Sequence, residues 1–164
     1  MLNANYTHVW SDTKYNLHRV IYVVPPGGFI PVPTEADTSY ENRLLDQADD
    51  IANVSVGYDY KGLSARLSFR YQGNVVSSIA SLPQLNEYTD KEYKFDFVIK
   101  QTIPFKYGEM EVFFNAINFT NVPYGRFIDY PVKSGSTGTT VFKRQTTYKR
   151  FTGRQFQLGL RFRY

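Results

Sequence analysis

The last nine residues of the chain alternate between apolar and polar side chains. One parity carries Phe156, Leu158, Leu160, Phe162 and Tyr164, and the other carries Gln157, Gly159, Arg161 and Arg163. Because successive side chains of a strand point to opposite faces, this pattern predicts a strand with one apolar, aromatic face and one polar face. A tilted strand of about 9–11 residues spans a bilayer, with an aromatic residue at the water interface. A strand of a soluble sandwich alternates in the same way, so this segment alone only favours a membrane strand.

The same alternation rule predicts about six strands in all. They cover residues 2–17, 51–60, 63–75, 93–103, 109–118 and 156–164. Seven apolar residues of shared parity on these strands are predicted to face lipid: Leu67, Phe69, Phe95, Phe97, Leu158, Leu160 and Phe162. We therefore expect an arginine at Leu160 to destabilise the strand more than an arginine at Gly159 on the polar parity, if the arginine fits at Gly159.

Short and long connections alternate between these strands. Lys61-Gly62 forms a tight turn in which the glycine supplies a positive φ, and residues 104–108 form the second short turn. The long connections are residues 19–50, 76–92 and 119–149. Short turns on one side and long loops on the other are typical of outer-membrane barrels, and such long loops are uncommon in compact soluble domains. The pattern predicts extracellular long loops and a periplasmic Tyr164.

About six strands cannot close a transmembrane barrel, because the smallest single-chain barrels have about eight. An open edge in lipid would leave unpaired backbone groups that cost several kcal/mol each. We therefore expect both edges to pair with other strands, in a larger barrel or in an oligomeric one. The first residues contain no basic segment followed by an apolar segment, so no signal peptide is predicted, and the chain is interpreted as part of something larger.

Composition is compatible with this interpretation. The chain has 164 residues, with 14 Tyr and 13 Phe but one Trp. No apolar run approaches the roughly 18 residues of a membrane helix, and alternating barrel strands give a polar average such as the mean hydropathy of −0.40. The absence of cysteine excludes a disulfide framework and a thiolate metal site.

Three segments carry a family resemblance. Residues 46–68, DQADDIANVSVGYDYKGLSARLS, resemble the late barrel strands of TonB-dependent receptors. Residues 111–121, EVFFNAINFTN, resemble the penultimate strand of that family with its Asn-Leu-Thr-Asn-like turn, and the aromatic C-terminal strand completes the set. These sequence segments most resemble those of receptors of the Bacteroidetes type. The resemblance covers most of residues 46–164, in the order and spacing of the family.

The resemblance implies an all-β fold: an antiparallel transmembrane β-barrel segment of about six strands, belonging to a larger plugged barrel of about 22 strands. It implies energised uptake of siderophores, glycans or other scarce ligands across the outer membrane, without enzyme activity or a cofactor. The expected partners are outer-membrane lipid, the remaining strands and plug of the same receptor, the TonB complex through an N-terminal part, the barrel-assembly machinery and a surface lipoprotein. The plug, the TonB box and most of the barrel are absent from this sequence.

Candidate ligand contacts lie in the long connections, because aromatic and arginine side chains concentrate binding energy. They are Phe29, Tyr40, Tyr124, Arg126 and Phe127, and simple loop packing is the favoured alternative for them. The resemblance assigns Tyr164 as an assembly signal, because a terminal edge strand can offer its backbone for β-augmentation. A girdle position at the membrane interface is a compatible role for the same residue.

Other chemistry is sparse. His8 and His18 lie ten residues apart without an acidic partner in metal-ligand spacing, so we interpret them as strand or interface residues. Glu109 and Glu111 share a strand face, where a solvated lumen or periplasmic rim is preferred over glycosidase chemistry. Residues 25–28 lack the Lys-Ser/Thr tail of a phosphate loop. We therefore predict no catalytic, metal or cofactor site.

Three alternative functions stay open. The net charge of +4 is concentrated towards the end of the chain, which with interleaved aromatics is a feature of single-stranded nucleic-acid binding. However, the basic and aromatic residues of the last strand lie on opposite faces, so no nucleic-acid partner is expected. A soluble lipocalin-like barrel or sandwich that binds a ligand is the second alternative, and an autotransporter-like or phospholipase-type barrel is the third.

Overall fold

The computed structural model describes residues 1–133 and 139–164, and this part of the chain is all-β. It contains twelve strands and the short 3-10 turn Pro83–Leu85. In chain order the strands are β1 (Leu2–His8), β2 (Thr13–Val23), β3 (Val32–Asn42), β4 (Asp50–Tyr60), β5 (Leu63–Gln72), β6 (Val75–Ser78), β7 (Glu87–Thr89), β8 (Glu92–Phe105), β9 (Gly108–Ile117), β10 (Tyr124–Lys133), β11 (Thr140–Arg150) and β12 (Gln155–Arg163). None of the described helical segments has the length and apolar character to cross a membrane.

The largest sheet has six antiparallel strands in the order β1-β4-β5-β8-β9-β12. These strands correspond, in the same order, to the six strands that alternation predicts. In the described residues the sheets do not close into a barrel, and β1 and β12 are the edges of the large sheet. The all-β antiparallel architecture is therefore confirmed, while closure within a larger barrel stays a prediction.

The tight turn at Lys61-Gly62 is also confirmed. Both residues have positive φ, 45° and 81°, as a two-residue type I′ hairpin requires. The second short turn is tighter than residues 104–108, because β8 continues through Pro104, which pairs with Glu109. That turn consists of Lys106 and Tyr107 alone.

The strand register places the short and long connections at opposite ends of the six-stranded sheet. Both tight turns lie at one end, near the start of β1 and the end of β12. The connections from β1 to β4, from β5 to β8 and from β9 to β12 all leave from the other end. The sheet is therefore polarised along its strands, with all of its additional chain on one side.

The long connections are not loops, and in this respect the expectation for residues 19–50, 76–92 and 119–149 is wrong. The first contains most of the two-stranded hairpin β2-β3, and the other two build a four-stranded sheet in the order β11-β10-β7-β6. These strands carry polar residues on both faces, such as Thr34 and Glu35 on β3. A search for alternating apolar positions therefore passes over them.

Two predicted strand boundaries are also wrong. Residues 2–17 form two strands, because the chain leaves the large sheet at Val9, whose N–H donates to the carbonyl of Asp49 over 2.8 Å. Similarly, β5 ends at Gln72, and Val75 belongs to β6 of the smaller sheet. Alternation reports which side a residue faces, but it does not report which strand is its partner.

The buried apolar side chains are few, and most belong to the smaller sheet or to the segment that bridges to it. Ala48, Val75, Val76 and Phe127 are each at most 5% exposed. Bridges from Leu45 to Val76 and from Ala48 to Val75 join the chain before β4 to the smaller sheet. The six-stranded sheet contributes Ala116 alone to the buried apolar residues of the described chain. Its two faces are consequently open.

We predict that Gly62→Ala destabilises the β4–β5 hairpin by about 1–3 kcal/mol, because the residue has a positive φ and tolerates no side chain. A Cβ atom there would lie 2.5 Å from the carbonyl oxygen of Thr102. Urea unfolding followed by circular dichroism measures the effect. Gly57→Ala on the same hairpin is the control, because its Cβ would meet nothing closer than 3.4 Å. Equal losses of stability in the two variants would contradict this account of the turn.

Candidate functional site

The candidate site is the apolar face of the six-stranded sheet, which the strand register makes continuous. Paired residues of neighbouring strands share a face. One row runs across all six strands through Leu2, Val56, Leu67, Phe97, Ala116 and Phe156. The next row towards the tight turns is Tyr58, Ala65, Ile99, Phe114 and Leu158. The apolar side chains of the individual strands therefore form one continuous surface.

The seven residues predicted to face lipid all lie on this surface. Leu67 pairs with Phe97, and Phe69 pairs with Phe95, with ring centroids 4.8 Å apart. On β12, Leu158, Leu160 and Phe162 are 75%, 61% and 54% exposed. Soluble monomers rarely expose contiguous apolar patches larger than a few hundred Å². A face of this extent therefore calls for an apolar environment.

Tyrosine side chains lie near both ends of this apolar face. Tyr6, Tyr71 and Tyr93 are joined through one row of the register, at the end of the long hairpins. Tyr58 and Tyr60 lie on β4 near the tight-turn end. Tyrosine prefers the membrane–water interface, where its ring is apolar and its hydroxyl is wet. Sequence reasoning did not single out these residues, although their parity and their positions at strand ends were available as a signal.

The opposite face of the sheet is polar and contains a nearly buried carboxylate. The Glu111 side chain on β9 is 11% exposed, and its two oxygens meet different cations. Arg161 of β12 donates to Oε1 over 3.2 Å, while the ammonium of Lys100 on β8 lies 3.6 Å from Oε2. Glu111 therefore links three neighbouring strands. Glu111 and Glu109 therefore differ, because Glu111 is paired with two cations whereas Glu109 is exposed.

Gly159 is covered rather than open. A Cβ atom at this position would lie 2.3 Å from Cζ of Phe113, the residue paired with it on β9. An aromatic ring lying over a strand glycine compensates for the missing side chain. The expectation that an arginine at Gly159 costs less than one at Leu160 applies if the arginine fits, and the Phe113 ring would have to move to make room for it. Gln157 is a better polar-face position, since its side chain is exposed.

The candidate ligand contacts do not form one pocket. Phe29 is 97% exposed and lies between β2 and β3. The hydroxyl of Tyr40 donates to Oδ1 of Asn86 over 2.7 Å, and burial raises the pKa of Tyr40. Phe127 is 3% exposed, with the Arg144 guanidinium 3.6 Å from its ring. Tyr40 and Phe127 therefore hold the hairpins together, and in this structure the Phe127 ring is not accessible to a ligand.

Tyr124 and Arg126 are adjacent on one side of β10. Nε of Arg126 donates to the Tyr124 hydroxyl over 3.4 Å, and its guanidinium also meets Glu87 over 3.4 Å. A hydrogen bond with Thr89, together with Arg126, lowers the pKa of Tyr124. These polar groups already pair with one another and with residues of β7. Their contacts therefore stabilise the smaller sheet.

Both histidines have a carboxylate partner across a strand pair, which spacing along the chain could not reveal. Nδ1 of His8 lies 2.6 Å from Oδ1 of Asp50, an oxygen that also accepts the Tyr6 hydroxyl. Nδ1 of His18 lies 2.8 Å from Oδ1 of Asp37. Within residues 1–133 and 139–164, no three His, Cys, Asp or Glu side chains are grouped to hold a metal.

Comparison of the chain with family profiles, curated proteins and solved structures finds no match in any of the three. The resemblance to TonB-dependent receptors therefore rests on the residues of this sequence alone.

We predict that Glu111→Gln lowers the free energy of unfolding by about 1–3 kcal/mol, because charge-assisted hydrogen bonds are worth this much when one partner is nearly buried. The loss should concentrate at β12, since Arg161 loses its carboxylate partner. Hydrogen exchange of β12 amides and urea unfolding measure both effects. Glu109→Gln on the same strand face is the control, because the exposed Glu109 should contribute little. A loss as large in that variant would refute the special role of Glu111.

Proposed function

We propose that this chain forms six neighbouring strands in the wall of a TonB-dependent outer-membrane transporter. The observation that supports it best is the six-stranded sheet itself, which is apolar and aromatic on one face and polar on the other in unbroken register. In this proposal the apolar face contacts lipid, and the polar face lines the lumen of a larger plugged barrel. The role is uptake of a scarce ligand, such as a siderophore or glycan, rather than catalysis.

The length of five of the six strands supports the membrane placement, while β1 has 7 residues. The strands β4, β5, β9 and β12 have 11, 10, 10 and 9 residues, and β8 has 14. A tilted strand needs about 9–11 residues to cross the hydrocarbon core. The row of tyrosines at the hairpin end of the apolar face, and Tyr58 and Tyr60 on β4 near the other end, support a comparison with the aromatic girdles of such barrels.

The polarity of the sheet supports one orientation. Outer-membrane barrels have short periplasmic turns and longer extracellular connections. Accordingly, the turns at Lys61-Gly62 and Lys106-Tyr107 are periplasmic in this proposal, and the hairpins β2-β3 and β10-β11 project outside the cell. Ligand capture then involves the exposed side chains of these hairpins, of which Phe29 is the most accessible of the predicted contacts.

The proposed partners follow from the edges and faces of the sheet. In the described residues, β1 and β12 each pair with one strand, and in lipid the open sides would leave unpaired backbone groups. We propose that further strands of the same receptor pair there. The plug then lies against the polar face and connects to the TonB complex, while a surface lipoprotein lies over the hairpins. The fully exposed Tyr164 is the proposed signal for the barrel-assembly machinery.

A soluble ligand-binding sandwich or barrel has less support. It would need a second layer over the apolar face, because that face would otherwise remain in water. In the described structure Leu158 and Leu160 are more than half exposed. The strands of the smaller sheet lie in the connections that leave the large sheet at one of its ends. No observation specifically favours this alternative.

We predict that Leu160→Arg destabilises the inserted protein by about 2–4 kcal/mol, the cost of an arginine on the lipid face near the membrane midplane. Gln157→Arg should cost much less, because Gln157 lies on the polar face of the same strand. Unfolding from phospholipid vesicles measures both variants. Equal costs at the two positions would contradict the assignment of the faces.

The proposed function predicts both location and sidedness. In cells that produce the complete protein, it should fractionate with the outer membrane and require detergent for extraction. A protease site inserted at Gly27-Gly28 should be cleaved in intact cells, whereas the same site at Lys61-Gly62 should be cleaved only after the outer membrane is opened. Cleavage of the Lys61-Gly62 site alone would show the inverse topology. Recovery of the intact protein in the soluble fraction would refute the proposal.

A further inference from the structure

The strand β11 is an open, exposed edge of the smaller sheet. It has 11 residues, and every one of them is exposed. In the described part of the chain it pairs on one side with β10 and forms the end of the order β11-β10-β7-β6. The backbone N–H and C=O groups that point away from β10 are therefore available. A sheet edge of this length is a template for an additional strand.

The side chains of β11 are positively charged. The strand contains four cations and no acidic residue, namely Lys143, Arg144, Lys149 and Arg150. On β11, Arg144 is already paired with Asp129 and Asp90. None of the ion pairs found in the described residues involves Lys143 or Lys149.

The cations of β11 also repel strands of their own kind. Two copies of this edge would bring like charges into cross-strand contact, which is destabilising. Lysine on an edge strand is a common device against self-association. An acidic strand would meet the same edge without that penalty. The charge pattern therefore disfavours pairing with a basic strand and permits pairing with an acidic one.

The aromatic residues argue against a nucleic acid as the occupant. Single strands bind when bases stack on free aromatic faces beside cations. Here the ring of Phe127 is covered by Arg144 at 3.6 Å, Lys149 lies 5.6 Å from the ring centroid of Phe151, and Arg150 lies 5.8 Å from that of Tyr124. A cation therefore already lies near a face of three of the rings close to this edge, although Phe142 on β11 is 69% exposed. An open backbone edge is matched by another polypeptide backbone, which is the occupant that we consider.

We propose that β11 binds an acidic, extended segment of another polypeptide by β-augmentation. Backbone hydrogen bonds along the edge would supply affinity. The bulge at Thr147 places Lys143, which pairs with Tyr130, and Lys149, which pairs with Gly125, on opposite faces of the sheet. Carboxylates on both faces of the added strand would pair with these two lysines. This inference does not rest on the membrane proposal, because the edge and its charges are properties of the smaller sheet.

Binding is tested with a synthetic peptide of about eight residues that carries glutamates on both faces of the extended chain, among threonine and valine. It is long enough, at about 3.3 Å per residue, to pair along most of β11. Fluorescence anisotropy with the full chain in detergent should show saturable binding. The double variant Lys143→Glu, Lys149→Glu should weaken it by about tenfold or more. The double variant Lys14→Glu, Lys106→Glu makes the same change in net charge away from β11 and should leave binding unchanged.

Two peptide controls separate β-augmentation from simple charge attraction. A peptide with lysine in place of glutamate should not bind, and a glutamate peptide N-methylated at alternate backbone positions should lose most of its affinity. Binding that survives N-methylation, or that is equally weakened by both double variants, would overturn the proposal. Failure of the glutamate peptide to bind would overturn it as well.

Disulfide trapping in unfractionated lysates of producing cells provides a second measurement that does not depend on purified protein. The chain has no cysteine, so Gln145→Cys introduces a single thiol in the middle of β11. A glutamate peptide with a central cysteine should crosslink to it, and much less to Asn16→Cys on β2. Equal crosslinking at the two positions would contradict the proposed site. None of these outcomes depends on where the protein fractionates, so failure here is distinguishable from failure of the transport proposal.

Discussion

The structure depends on one constraint, which is that the apolar face of the six-stranded sheet needs an apolar environment. Moving a leucine side chain out of water stabilises by about 1.5–3 kcal/mol, and the face carries such residues on every strand. The protein itself buries little of this surface, since Leu158 on β12 is 75% exposed. Lipid covers such a face without a second layer of protein, which is why the membrane proposal explains the sheet best.

On the polar face of the same sheet, side-chain contacts link neighbouring strands. Glu111 bridges β8, β9 and β12 through Lys100 and Arg161, and Phe113 covers Gly159 beside it. These contacts tie the C-terminal strand to its neighbour through side chains as well as through backbone pairing. Beyond the sheet, the hairpins have their own small core around Val76 and Phe127. The hairpins are thus ordered independently of the uncovered faces.

The sequence predicts the six-stranded sheet well, because period-two alternation directly reports a strand with two different environments. Leu158 and Leu160 on one face and Arg161 on the other show this signal clearly. It fails for β2, β3, β10 and β11, where both faces are partly polar and the alternation is weak. It also cannot show partners that are distant along the chain, such as Asp50 beside His8 or Arg161 beside Glu111. Pairing across strands is a three-dimensional property, and only register reveals it.

The central claim is most directly tested by the environment of each residue along β12. Because the chain has no native cysteine, single cysteines at positions 157, 158, 160, 161 and 162 can each carry a fluorophore in the complete protein in vesicles. Quenching by lipid-attached nitroxide should be strong at 158, 160 and 162, whereas a water-soluble quencher should act at 157 and 161. Equal access of the water-soluble quencher to both parities would contradict a lipid-facing sheet.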